Sequence, residues 1–162
     1  MPTVLIADDD ADHRELLGIA LHRLGHVVIE ATDTRTAMQA VAAGGLDAVL
    51  LDVRMPGESG IDLCRRMRGH PNTATVPIMF VSADVNDNRI VAALRAGADD
   101  YLTKPFHRAE LGTRLENLLR VRPGVAGRSA AAANAALLAA RGALPRPAAL
   151  SPAVNSAARR IA

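Results

Sequence analysis

The chain has 162 residues, 49% of them hydrophobic but only 2% aromatic, and a formal net charge of +2. That length suits one domain of about 120 residues with a core of Leu, Val, Ile, Ala and Met, plus a tail; the shortage of rings excludes aromatic stacking on nucleic acid as the main activity. The charge is split, with every Asp and Glu at or before Glu116 and only arginines after Arg120 (Arg122, Arg128, Arg141, Arg146, Arg159 and Arg160), so its sum says little about what the folded part binds.

Thr3 to Ala7 is a short apolar run that reads as a buried strand. Asp8, Asp9 and Asp10 follow, with Asp10 as a helix cap. Leu16, Ile19, Ala20 and Leu24 recur at helical spacing up to Gly25. His26 to Glu30 reads as a second strand, and Thr32 or Asp33 caps a helix that runs through Ala43 and stops at Gly44-Gly45. Leu46 to Leu51 is a third strand ending at Asp52. After the turn Met55 to Gly60, a helix spans about Ser59 to Arg68, with Ile61, Leu63, Cys64 and Met67 as its apolar stripe. Pro77 to Val81 is a fourth strand ending at Ser82, and Asn86 to Ala96 is a helix closed by Gly97. Asp99 to Thr103 is the fifth strand, and Lys104-Pro105-Phe106 leads to a last helix from His107 to about Leu119.

Continuous apolar strands separated by helices call for a parallel sheet covered on both faces. The division expected is a domain over 1–120 and an Ala-, Pro- and Arg-rich segment over 121–162. Within the latter, Ser129 to Leu144 has the composition of a short helix, and Pro145, Pro147 and Pro152 keep it from extending further. One cysteine, Cys64, leaves no internal disulfide and points to a reducing, cytoplasmic compartment. The first apolar run is too short for a signal peptide or a membrane span, so no membrane insertion is expected.

Charge interrupts the apolar runs at particular places: Asp8 and Asp9 after the first strand, Asp52 after the third, Ser82 after the fourth and Lys104 after the fifth. Ligands of such sheets bind beyond the carboxyl ends of the strands. Taken singly, these residues have plain readings as caps, turns and solvated charges. Taken together, they form one polar edge. Clustered carboxylates repel, and a divalent cation with oxygen ligands, Mg²⁺ or Mn²⁺, relieves that. Lys104 and the Ser82 hydroxyl suit phosphoryl oxygens. Asp52 is the best placed nucleophile.

These segments resemble the receiver domain of bacterial two-component response regulators, in particular the single-domain, chemotaxis-regulator-like type. The likeness is carried by Val4-Leu5-Ile6-Ala7-Asp8-Asp9-Asp10, Leu51-Asp52-Val53-Arg54-Met55-Pro56-Gly57, Val81-Ser82-Ala83 and Ala98-Asp99-Asp100-Tyr101-Leu102-Thr103-Lys104-Pro105-Phe106. The resemblance implies a flavodoxin-like, doubly wound (βα)5 three-layer sandwich with strand order 2-1-3-4-5. It implies that Asp52 is phosphorylated from a phosphohistidine on a sensor histidine kinase or histidine phosphotransfer protein. Asp8, Asp9, Asp52 and the Arg54 carbonyl would serve Mg²⁺, with Asp8 acting through water, while Ser82 and Lys104 would hold the phosphoryl group. The Lys104–Pro105 bond would be cis.

The resemblance also implies a switch. Ser82 would move toward the phosphoryl group and Tyr101 would pass from a more exposed to a more buried rotamer. The fourth helix, fifth strand and fifth helix would then change affinity for an output protein or a second copy of the chain. Arg54 and Asp84 are expected to influence access of water or donor to the site, although Arg54 could simply lie over the surface.

Two other readings compete. An Mg²⁺-dependent phosphatase with an aspartyl nucleophile would need a carboxylate two residues after Asp52, where this chain has Arg54. A DNA-binding regulator acting through the basic segment would need a folded reader, and specific nucleic-acid binding is not expected of 121–162.

Overall fold

The computed structural model of the chain describes residues 1–120, in which five strands alternate with five helices. These are β1 (Thr3–Ala7), α1 (Ala11–Arg23), β2 (Val27–Ala31), α2 (Thr34–Ala43), β3 (Ala48–Leu51), α3 (Gly60–Gly69), β4 (Ile78–Ser82), α4 (Asp87–Arg95), β5 (Asp100–Thr103) and α5 (Arg108–Arg120). The expectation for Ser129 to Leu144, and for 121–162 as a whole, lies outside the described residues.

All neighbouring strands pair in parallel, in the order β2-β1-β3-β4-β5. The fold is the flavodoxin-like (βα)5 sandwich. Side chains alternate across a strand, so each central strand feeds two cores. Leu5, Val49, Leu51, Ile78 and Phe80 join Val41, Leu63, Met67 and Ile90 on the face of α2, α3 and α4. Val4, Ile6, Leu50, Met79 and Val81 join Leu17, Leu21, Leu111 and Leu115 on the face of α1 and α5. This two-sided burial is why the strand sequences are continuously apolar. The edge strand β2 has one neighbour only, and its Val27 and Ile29 stay exposed.

Local chemistry starts the helices, with Asp10 and Asp33 as the caps expected from the sequence and Ser59 and Asn86 capping helices expected to begin on them. Asp10 accepts from the Asp12 and His13 N–H groups, Asp33 forms a capping box with Thr36, Ser59 accepts from Asp62 N–H and Asn86 from Asn88 N–H. The buried stripe of α1 differs from the expected one. Leu17, Ala20 and Leu21 face the sheet, whereas Leu16 is 58% and Ile19 46% exposed. Leu16 and Leu17 are adjacent, so two overlapping stripes fit the same spacing. The docking of the helix on β1 and β2 chooses between them.

α3 closes on the sheet through Arg68, whose guanidinium donates to the carbonyls of Gly97, Ala74 and Val76 and pairs with the Asp99 carboxylate. A planar, permanently charged group with several donors suits such a junction. It ties the end of α3 to the turns that lead into β4 and β5.

Candidate functional site

The carboxyl ends of β1, β3, β4 and β5 open into a cleft of about 670 Å³ whose walls include Asp9, Asp52, Ser82 and Lys104. Sheet register brings them together: Ala7 pairs with Leu51, Leu51 with Phe80, and Ser82 with Thr103. The residues at the strand ends, Asp8, Asp52 and Lys104 just after theirs and Ser82 last in its own, therefore reach the same rim. A larger groove of about 810 Å³, bordered by Leu24, Gly112 and Leu119, lies on the α1 and α5 side and holds none of these residues.

Asp8 is buried, and its carboxylate accepts from Asp10 N–H at 2.9 Å. Arg14 donates to the Asp8 carbonyl at 2.8 Å. Lys104, only 7% exposed along its side chain, points its Nζ between the carboxylates, 2.8 Å from Asp8 Oδ2 and 3.5 Å from Asp52 Oδ2. One oxygen from each of Asp8, Asp9 and Asp52 lies within 4.8 Å of the others. Three carboxylates thus face one ammonium. A hard, oxygen-only donor set with surplus negative charge fits a divalent cation of the Mg²⁺ or Mn²⁺ type.

Burial pushes the Asp52 carboxyl above its ordinary value; Lys104 opposes that and Asp8 adds to it. The Arg54 N–H donates to Asp52 Oδ1 at 3.3 Å, while the exposed Arg54 guanidinium lies 3.9 Å from the Asp84 carboxylate at the mouth of the cleft. Asp84 N–H donates to Ser82 Oγ at 3.2 Å, so that hydroxyl has both a turn role and a place at the site. The Lys104–Pro105 peptide bond is cis.

Tyr101 already occupies a buried position. Its ring stacks on Phe80 with centroids 6.0 Å apart, and its hydroxyl donates to the Asp84 carbonyl at 2.5 Å. Of the two positions that the resemblance implies for this ring, the structure holds the buried one, where the ring finds both apolar cover and an acceptor.

One cleft residue escaped the sequence reading. His13, in the first turn of α1, puts Nδ1 at 3.2 Å from Lys104 Nζ. Its position three residues after the Asp10 cap was the available signal, since the first turn of a helix capped at the rim faces back over it.

Residues 4–116 match the family of the response regulator receiver domain. The chain is 40% identical over 118 residues to the phosphate regulon transcriptional regulatory protein PhoB of Pseudomonas aeruginosa, covering 73% of this chain and 52% of that protein. It is 42% identical over 117 residues to the transcriptional regulatory protein CseB of Streptomyces avermitilis, covering 72% of this chain and 48% of that one. It thus spans about half the length of both. Among solved structures, the receiver domain of sensor histidine kinase PA1611 from P. aeruginosa, with a magnesium ion coordinated in its active-site cleft, superposes with a TM-score of 0.69 at 30% identity, over 73% of this chain and 97% of that one. Chemotaxis response regulator CheY4 of Vibrio cholerae gives 0.69 at 25% identity, over 73% and 98%.

Proposed function

The chain belongs to the response regulator receiver domain family, phosphorylated components of two-component signalling, and from that premise we propose that Asp52 is its phosphoacceptor. A carboxylate oxygen of Asp52 attacks the phosphorus of a phosphohistidine. The P–N bond breaks, its electrons leave with the imidazole, and an aspartyl phosphate remains. The donor is a sensor histidine kinase or a histidine phosphotransfer protein. The observation that carries this reading is the Lys104 ammonium held between Asp8 and Asp52 at the strand ends.

Lys104 and the Ser82 hydroxyl serve the phosphoryl oxygens. Asp9, Asp52 and the Arg54 carbonyl would hold Mg²⁺ or Mn²⁺, with Asp8 reaching it through water, and the ion when bound would neutralise surplus charge and polarise a phosphoryl oxygen. The cluster supports intrinsic phosphorylation from small donors and slow self-dephosphorylation, with the Arg54 and Asp84 side chains controlling entry of water. Two residues after Asp52 the chain offers a guanidinium rather than a proton-transferring carboxylate, which disfavours a dedicated phosphatase.

The output is a change in partner affinity on the face of α4, β5 and α5, where Ser82 and Tyr101 connect the cleft to the surface. The partner is an output protein or a second, phosphorylated copy of the chain. The acceptor domain in this reading is 1–120. Among the described residues no helix is long and apolar enough to cross a membrane. The test is incubation with Mg²⁺ and phosphoramidate, followed by mass spectrometry. A phosphoryl group on Asp52, absent in Asp52→Asn, is expected; an unmodified parent chain would refute the assignment.

A further inference from the structure

His13 enters the cleft from α1, and the proposed chemistry leaves it without a role. Its Nδ1 lies 3.2 Å from Lys104 Nζ and also 3.2 Å from Asp10 Oδ2. One ring nitrogen cannot serve both. The ammonium only donates, so toward Lys104 the nitrogen must be a bare acceptor. The carboxylate only accepts, so toward Asp10 the nitrogen must carry hydrogen. Two mutually exclusive hydrogen-bonded states share one atom.

The contacts of Lys104 indicate which state goes with which condition. Its three donors meet Asp8 at 2.8 Å, His13 at 3.2 Å and Asp52 at 3.5 Å. The longest contact is the one to the acceptor carboxylate. Added negative charge at Asp52 draws the ammonium toward it. Asp8 retains its grip as the shorter, charge-assisted bond, and the neutral His13 contact is the one given up.

We infer that His13 is a positioning residue for Lys104: its Nδ1 accepts from the ammonium while Asp52 is unmodified, and donates to Asp10 once the ammonium has moved onto a phosphoryl group. This rests on the reading of Asp52 as acceptor. The imidazole is 43% exposed, so the exchange needs no other partner. The Nε2 proton leaves to water, and water supplies one at Nδ1.

The consequence is asymmetric. The His13–Lys104 bond belongs to the unmodified state and is lost on the way to the transition state. Removing it therefore speeds phosphorylation. Dephosphorylation starts from a state in which the bond is already broken, so its rate stays the same.

The test uses the whole chain, His13→Leu, which keeps bulk without an acceptor, and His13→Asn, whose amide can accept from Lys104 or donate to Asp10. Nitrogen-15 spectra, assigned to His13 by its loss in the Asn variant, are recorded without metal and then with Mg²⁺ and beryllofluoride as a phosphoryl mimic. Nδ1 is expected bare in the first state and protonated in the second. With phosphoramidate and Mg²⁺, His13→Leu should phosphorylate on the order of fivefold faster, dephosphorylate at the parent rate, and be rescued by His13→Asn. A protonated Nδ1 in the unmodified protein, or both substitutions moving both rates together, would overturn the inference. Should the parent take up no phosphoryl group, the Asp52 reading and the handover fail together, while the ring-nitrogen state of the unmodified protein still decides the Lys104 contact.

Discussion

Asp52 carries a charge that the fold holds at a cost. Burial raises its carboxyl above the usual 3.8, with Lys104 only partly offsetting this. The folded chain then binds the proton more tightly than the unfolded one, so stability falls as pH rises from about 4 through the folded value. Asp52→Asn is expected to melt higher than the parent at neutral pH, with the gap closing below about pH 4. Mg²⁺ should raise the parent's melting temperature more than the variant's. Calorimetry with and without Mg²⁺ checks both, and a variant melting at or below the parent at pH 7 would contradict them. Tyr101 offers a second measurement, because it is the only tyrosine and the chain has no tryptophan. Burial pushes its phenol from 10.0 up to about 12. The unfolded chain loses the phenolic proton first, so stability is full below pH 10 and declines between 10 and about 12. Ultraviolet titration should show phenolate appearing well above the ordinary value, and a midpoint at 10 would place the ring outside the core. Most residues of the site were legible only as a set, since charges that interrupt successive apolar runs at their ends are conspicuous together. The His13 contact was not, because a histidine in a helix's first turn has a plain exposed reading until Lys104 is beside it.

At the scale of elements, the junction of β3 and α3 sets the acceptor. A Cβ on Gly60 would overlap the Asp52 carbonyl oxygen and crowd Phe80. Gly60→Ala is therefore expected to lower stability by about 2 kcal/mol through overpacking and to slow phosphorylation by displacing the strand end. Urea denaturation and the phosphoramidate assay measure the two effects; unchanged values in both would mean that α3 can move away freely. Caps at Asp10 and Asp33 were readable because they act within one turn, while Ser59 and Asn86, expected as the first helical residues, are the caps of α3 and α4. The face of α1 was not, because adjacent Leu16 and Leu17 fit two stripes and only docking on the sheet selects Leu17.

For the whole molecule, the two cores among the described residues run as far as Leu118. A chain ending at Arg120 is expected to keep the parent's melting temperature and phosphorylation rate; a fall in either would give 121–162 a packing role. Alternating runs and turns were enough to call for a parallel sheet covered on both faces, and interruptions by Asp8, Asp52, Ser82 and Lys104 were enough to mark its functional edge. Those signals are local, arising from side-chain period, caps and turn chemistry. Strand order followed only from likeness to a family. That Lys104 lies against Asp8, 96 residues away, and against Asp52, 52 residues away, was decided by the tertiary structure alone. Sheet register and crossovers bring those positions together, and no short-range preference encodes them.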